Sequence, residues 1–259
     1  MLFKCFILTL LLLDLKLLAI TALSINLILL ALDKQFFPFL TDACTEGYNE
    51  MADPFKKKLF QELKFMKNES TAKLRILEIG GGSGANLKYY EIPAIIDILE
   101  PNPNFEYYFK KNAAKYKELE VNPLAQGFCE DLLAAGFDND CFDIVISTLV
   151  LCSVNDQDKC FKEIHRVLKP GGKFLYVEHI YAEQTSLLKT MQKVLMIGDF
   201  WQFLNDGCCL DRNTDLAIKS FPRWSKVEQE KFDLPLSSKM FHRVFNWPIT
   251  PHVMGYAQK

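Results

Sequence analysis

Four glycines crowd into E-I-G-G-G-S-G, at positions 80, 81, 82 and 84, directly after a short apolar run. Gly80, Gly82 and Gly84 permit a tight strand-to-helix turn in which backbone approaches a ligand with no Cβ in the way. Glu78 stands just ahead of this bend, and Glu100 closes the next apolar run, about 20 residues on, where a carboxylate can accept both hydrogens of a ribose diol. Further along, Cys129-Glu130-Asp131 sets two carboxylates where either could accept from an adenine amino group. The chemistry so far is that of a nucleotide pocket. Gly80-x-Gly82-x-x-Ala85 also fits the dinucleotide fingerprint, so a nicotinamide ligand stands beside other adenosyl ligands at this point.

A second group of residues could face a reacting partner. His179 ends the run KFLYVEH, and ligands of open α/β sheets sit beyond the carboxyl ends of the strands. It reads either as a base or substrate contact, or as a hydrogen-bonded structural histidine. Asp199 and Asp206 are weaker candidates for the same role. The apolar stretch from Val194 to Leu204, with Met196, Ile197, Phe200, Trp201 and Phe203, reads as a cover over the mouth of the site. Cys208 and Cys209 are adjacent, and neighbouring cysteines are poor joint ligands for a tetrahedral ion. No spacing elsewhere completes a Cys/His set, so no metal site is expected.

The elements that must hold these residues alternate. Asp53-Pro54 reads as the start of a covering helix, with Phe55, Leu59, Leu63 and Met66 at helical spacing. Strands follow at 74–79 and 94–99, with a helix opening near Ala85 between them and an amphipathic helix at 104–119 after them. A third strand reads at 121–128 and a fourth at 142–151, the latter β-branched and apolar as a strand buried on both faces should be. A helix from Asp156 to Leu168 stops at Lys169-Pro170-Gly171-Gly172, and a strand at 173–178 follows. Segments 226–232, 241–247 and 253–257 read as antiparallel closing strands. Such alternation predicts a parallel sheet covered by helices on both faces.

Composition narrows the rest. The chain has 259 residues, 49% hydrophobic, with 30 Lys and Arg against 32 Asp and Glu. That is enough material for one core, and a net charge of −2 speaks against a nucleic-acid surface. The eight cysteines are too sparse for a disulfide scaffold and read as free thiols in a reducing compartment. Residues 1–36 are different material. The uncharged run Leu17–Leu32 has 16 residues, about 24 Å as a helix against a hydrocarbon core of about 30 Å. A tilted span, a helix lying in one leaflet, and a cleaved signal peptide are the three readings, the last weakest because no A-x-A site follows. Lys34 and the cluster Lys56, Lys57 and Lys58 lie beyond the segment, so the positive-inside bias places the remainder in the cytosol.

In order, LEIGGGSG, IDILEPN, CEDL, FDIVIST and RVLKPGGKFLYVE resemble the class I S-adenosylmethionine-dependent methyltransferases over residues 70 to 180. The resemblance implies a Rossmann-like α/β fold with a mostly parallel seven-stranded sheet, an antiparallel last strand and helices on both faces. Adding the apolar N-terminus, YNEMADPFKKKLF, STLVLCSV, FLNDGCCLDR and PHVMGYA, nearly the whole chain resembles the methyltransferase-like seven family. That resemblance implies S-adenosylmethionine as cofactor, small, lipophilic alkyl thiols as substrates, and a membrane anchor at 1–36. With it come a covering segment at 37–72 and a monomeric catalytic domain at 73–259, at the endoplasmic reticulum and lipid droplets. Carried over by position, Glu78, Gly80, Gly82, Gly84, Glu100, Glu130 and Asp131 would hold the cofactor, with His179 and Asp199 toward the substrate. Two departures stand out: Glu100 replaces the family's aspartate, and Cys129 its glycine. The alternatives are methylation of an oxygen, nitrogen or quinone-like carbon, a non-catalytic membrane adaptor, and a nicotinamide oxidoreductase.

Overall fold

The computed structural model describes residues 36–68, 72–183, 186–235 and 246–259. The expected anchor at 1–36, apart from the helical backbone of Phe36, lies outside the described residues, as does 241–245 of one expected strand. No described helix is long and apolar enough to cross a membrane.

The chain runs α1 (Phe36–Asn68), β1 (Leu74–Ile79), β2 (Ala94–Leu99), α2 (Phe105–Ala113), β3 (Glu120–Val121) and β4 (Phe142–Thr148). It continues through α3 (Gln157–Val167), β5 (Leu168–His179), α4 (Leu187–Leu195), α5 (Phe200–Leu204), α6 (Thr214–Ser220), β6 (Lys226–Asp233) and β7 (Pro251–Gln258). The strands form one sheet in the order β3-β2-β1-β4-β5-β7-β6. All pairings are parallel except those of β7, which runs against both its neighbours.

Period-two alternation sends successive side chains of the central strands to opposite faces. Leu77, Ile79, Val145, Phe174 and Tyr176 pack with Phe161, Ile164 and Val167 of α3 and Ile218 of α6. Ile76, Ile144, Ile146, Leu175 and Val177 pack on the other face with Leu59, Phe60 and Leu63 of α1 and Phe109 of α2. Both faces are therefore dry, and the β1, β2, β4 and β5 tips lie side by side: Ile79 pairs with Leu99 and Ser147, and Thr148 with Val177. That row of strand ends positions the site.

Four local expectations are corrected. Asp53-Pro54 does not begin a helix; Pro54 lies inside α1. The buried stripe of Leu59 and Leu63 continues upstream through Ala52 and Met51, so packing on both sides of Pro54 outweighs its missing N–H donor. The Asp53 carboxylate, rather than capping, pairs with Lys57 and Lys88 and accepts from the Tyr89 hydroxyl. No α-helix opens at Ala85. The glycine bend leads into a single 3-10 turn, Leu87–Tyr89, because Pro93 and β2 follow too soon for a longer helix. The third strand shrinks to Glu120–Val121, with Ala125 making one further bridge to Leu99. Trp247 belongs to a 3-10 turn, Trp247–Ile249, not to a strand.

The cysteines also depart from the expectation of eight free thiols. Cys129 and Cys160 form a disulfide across 31 residues of sequence. They meet because the turn Cys129–Asp131 packs on α3, a proximity no spacing rule reveals. Among the described residues, Cys44, Cys141, Cys152, Cys208 and Cys209 are free.

Candidate active site

At the strand tips lies a cavity of about 410 Å³. Its nucleotide-like end is built from the glycine bend, Glu100 and Cys129-Glu130; its far end from Thr148–Val150, Cys152, Ser153, His179, Trp201 and Cys208; its roof from the first turns of α1.

The bend has the backbone expected of it: φ is +61° at Gly80 and +52° at Gly82. A Cβ at Gly80 would stand 2.4 Å from Val150 Cγ2, so sterics and backbone both demand glycine there. Gly82 turns its N–H toward Glu100, whose Oε2 accepts it at 3.0 Å, while Oε1 accepts from the Asn102 N–H at 2.9 Å. Each carboxylate oxygen thus has one backbone donor and lone pairs to spare at the cavity wall. Burial pushes the Glu100 pKa up to about 7 against the lowering effect of those two donors. This group fits an acceptor of hydroxyl hydrogens.

Glu78 lies deeper, and its position explains a cluster that sequence reasoning missed. Its Oε1 accepts from Asn86 Nδ2 at 2.9 Å and its Oε2 from the Tyr90 hydroxyl at 2.6 Å. Asn86 Oδ1 in turn accepts from Lys56 Nζ at 2.8 Å, and Asn49 Oδ1 from the same ammonium at 2.7 Å. Lys56 is 1% exposed, and burial lowers its pKa to about 7. Lys56 therefore cannot count among the surface cations beyond the anchor. The one available signal was its position on the Ala52–Leu59 face of an amphipathic helix, which a charge count ignores.

Glu130 lines the cavity, and its Oε1 accepts from the Asn155 N–H at 2.6 Å. Asp131 does not line it; its Oδ1 accepts from the Ala134 N–H at 3.0 Å and the residue is exposed. Of the two carboxylates, the structure brings only Glu130 to the site. Asp199 is likewise exposed, in the connection between α4 and α5 with φ +58°, and does not line the cavity, whereas Asp206 does. Its separation from the site follows from Gly198 and Asp199 both adopting left-handed backbone, which turns the chain so that Trp201 takes the inward position.

The far end is shaped by Glu178, a residue given no role from sequence. Wholly buried at the tip of β5, it accepts from the Ser147 hydroxyl and from the Val150 and Leu151 N–H groups. This stops β4 at Thr148 and throws the following loop over the cavity, with Leu149 at φ +57°. Arg212 holds the loop's other side through the carbonyls of Leu151 and Val154. The loop delivers Cys152 to His179. His179 is 2% exposed, its Nε2 is 3.2 Å from Cys208 Sγ, and its Nδ1 has no hydrogen-bond partner among the described residues. The Cys152 thiol is pushed well up by its contact with Cys208 and by burial. Thus a Cys/His cluster forms where sequence spacing had excluded one, because its members arrive on three separate segments.

Comparison with known proteins fits this geometry. Residues 77–176 match the methyltransferase domain family. Among solved structures, Haemonchus contortus phosphoethanolamine N-methyltransferase 2 superposes with a TM-score of 0.58 at 18% identity, covering 85% of this chain and 57% of that one. A possible histamine N-methyltransferase from Thermotoga maritima gives 0.52 at 16% identity, covering 85% and 99%. Fold, sheet order and site therefore define a Rossmann-like methyltransferase. Nearer relatives are human thiol S-methyltransferase TMT1A, 34% identical over 226 residues, and human TMT1B, 33% identical over 229, each alignment covering 87% of both chains. This chain belongs to the thiol S-methyltransferase family.

Proposed function

We propose that this protein is an S-adenosylmethionine-dependent methyltransferase that acts on the sulfur of small, lipophilic alkyl thiols. The observation that carries the reading is the convergence, in one cavity of a thiol S-methyltransferase family member, of a left-handed glycine bend and buried Glu100 at one end with His179 at the other. Glu100 would accept the ribose hydroxyls, and Gly80 and Gly82 would leave room for the adenosyl chain, whereas Gly84 lies outside the cavity lining, where its missing Cβ makes room for Leu87 and Phe109. Glu130 would face adenine, with Asp131 holding the turn beneath it. Glu78 would order the deep end through Asn86. The bound cofactor supplies a sulfonium methyl group open to in-line attack.

The chain's own work is alignment and exclusion of water. His179 is the residue we assign to meet the incoming sulfur; Asp199, exposed and outside the cavity lining, would act on substrate entry rather than on the reacting atoms. A thiol with a pKa of about 8.5 is largely protonated near neutral pH, so the site must also favour the thiolate.

The membrane reading rests on continuity and exposure. The apolar residues 1–35 lead into the turns of α1 that roof the cavity. Leu187 and Ile197 are 74% exposed, and Val194 and Phe203 are also exposed; we take these apolar side chains of α4, α5 and the turn between them as the lipid-facing side. From the family resemblance we place the protein at the endoplasmic reticulum membrane and lipid droplets; Lys34, Lys57 and Lys58 favour a cytosolic catalytic part, against which the Cys129–Cys160 disulfide counts.

The test is full-length protein incubated with labelled S-adenosylmethionine and a panel of alkyl thiols, an amine, a phenol and a quinol, with products identified by mass. S-methylated thiols are expected. Label appearing only on oxygen, nitrogen or carbon would replace the thiol reading, and no transfer at all would leave an adaptor.

A further inference from the structure

The cavity's far wall holds three soft or borderline ligands that alignment alone does not require. Cys152, His179 and Cys208 are all buried, and each offers one ligand atom, with the three atoms within 4.8 Å of one another. Around a tetrahedral zinc ion, with bonds of about 2.3 Å to sulfur and about 2.0 Å to nitrogen, such atoms stand about 3.5 to 3.8 Å apart. His179 Nε2 and Cys208 Sγ are at 3.2 Å, so a small outward shift on that edge accommodates an ion. All three residues line the cavity, which leaves a fourth position open toward the substrate, the arrangement of catalytic rather than structural zinc sites.

We propose that Cys152, His179 and Cys208 bind a thiophilic divalent cation, zinc, whose open position takes the sulfur of the substrate thiol. The inference rests on the thiol-methylation reading and deepens it, because it states how His179 meets the sulfur. On binding the ion, the Cys152 and Cys208 thiols release their protons to solvent. The substrate thiol then loses its own proton to solvent as its sulfur coordinates, because a coordinating thiol is held as thiolate. The thiolate lone pair forms the new S–CH3 bond while the sulfonium S–CH3 bond breaks, its electron pair remaining on the departing adenosyl thioether. The methylated product is a neutral thioether, a weaker ligand than thiolate, and it leaves.

The test loads full-length, metal-stripped protein with Co2+ as a spectroscopic probe and with Zn2+ for measurement of metal content. One ion per chain is expected, with a near-ultraviolet sulfur-to-cobalt band that shifts on adding an alkyl thiol and not on adding its methyl thioether. Cys152→Ser and Cys208→Ser should each weaken metal binding at least tenfold while still binding S-adenosylhomocysteine, which shows that the fold persists. No metal bound by protein that binds S-adenosylhomocysteine would overturn the proposal. So would metal retained in both variants, a cobalt band unmoved by thiol, or full thiol turnover by stripped protein. Failure of thiol transfer with a thiol-responsive cobalt band would refute the activity and leave the site.

Discussion

Glu100 concentrates the cofactor argument in one side chain. Each of its oxygens takes one backbone N–H, and burial raises its pKa to about 7. A raised carboxylate stabilises the folded chain below its unfolded pKa of about 4.3, and that contribution is lost as pH rises through about 7. Hydroxyl donors from a bound ribose need the charged form, so binding should run the other way. Affinity for S-adenosylhomocysteine is expected to fall about tenfold between pH 8 and pH 6, followed by calorimetry, and Glu100→Gln should flatten the profile. A flat wild-type profile would remove Glu100 from the ribose site. At Gly80, both the positive φ and the approach to Val150 count against any side chain. Gly80→Ala should cost about 2 kcal/mol or more in urea unfolding; an unchanged midpoint would mean that the bend relaxes freely.

At the scale of elements, the strands were the most legible part. β1 and β2 occupy the expected residues 74–79 and 94–99 because each is a short apolar run ended by glycine or a carboxylate. α3 begins where Asp156 accepts from the Asp158 and Lys159 N–H groups, a cap visible in sequence. What sequence hid is tertiary. Pro54 looks like a start signal until the buried stripe on both sides is known, and Cys152, His179 and Cys208 are neighbours only in the folded chain. Pro54→Ala should restore a backbone donor in α1 and stabilise the protein by about 2 kcal/mol, read as a rise in Tm without change in turnover. No rise would mean that the missing Pro54 N–H costs nothing where α1 packs. Glu178→Ala should do the reverse. It strands the Ser147 hydroxyl and two loop N–H groups, a loss of about 3 kcal/mol or more accompanied by slower turnover as the Cys152 loop loosens.

At the scale of the molecule, the cavity lies beyond the tips of the central strands, and exposed apolar side chains occupy α4, α5 and the turn between them. Leu187, Val194, Ile197 and Phe203 are exposed, and the first turns of α1 roof the cavity. Added phospholipid vesicles should therefore raise turnover of long-chain thiols relative to short hydrophilic ones, and Ile197→Asp with Phe203→Asp should narrow that difference. Equal turnover of both classes with and without vesicles would separate these side chains from substrate delivery. Methyl transfer requires the cofactor-binding end before anything else. Calorimetric titration of the full-length protein with S-adenosylhomocysteine tests it most directly. The expected result is one site per chain, weakened about a hundredfold by Glu100→Ala with the fold retained; no binding, or equal binding by the variant, would contradict it.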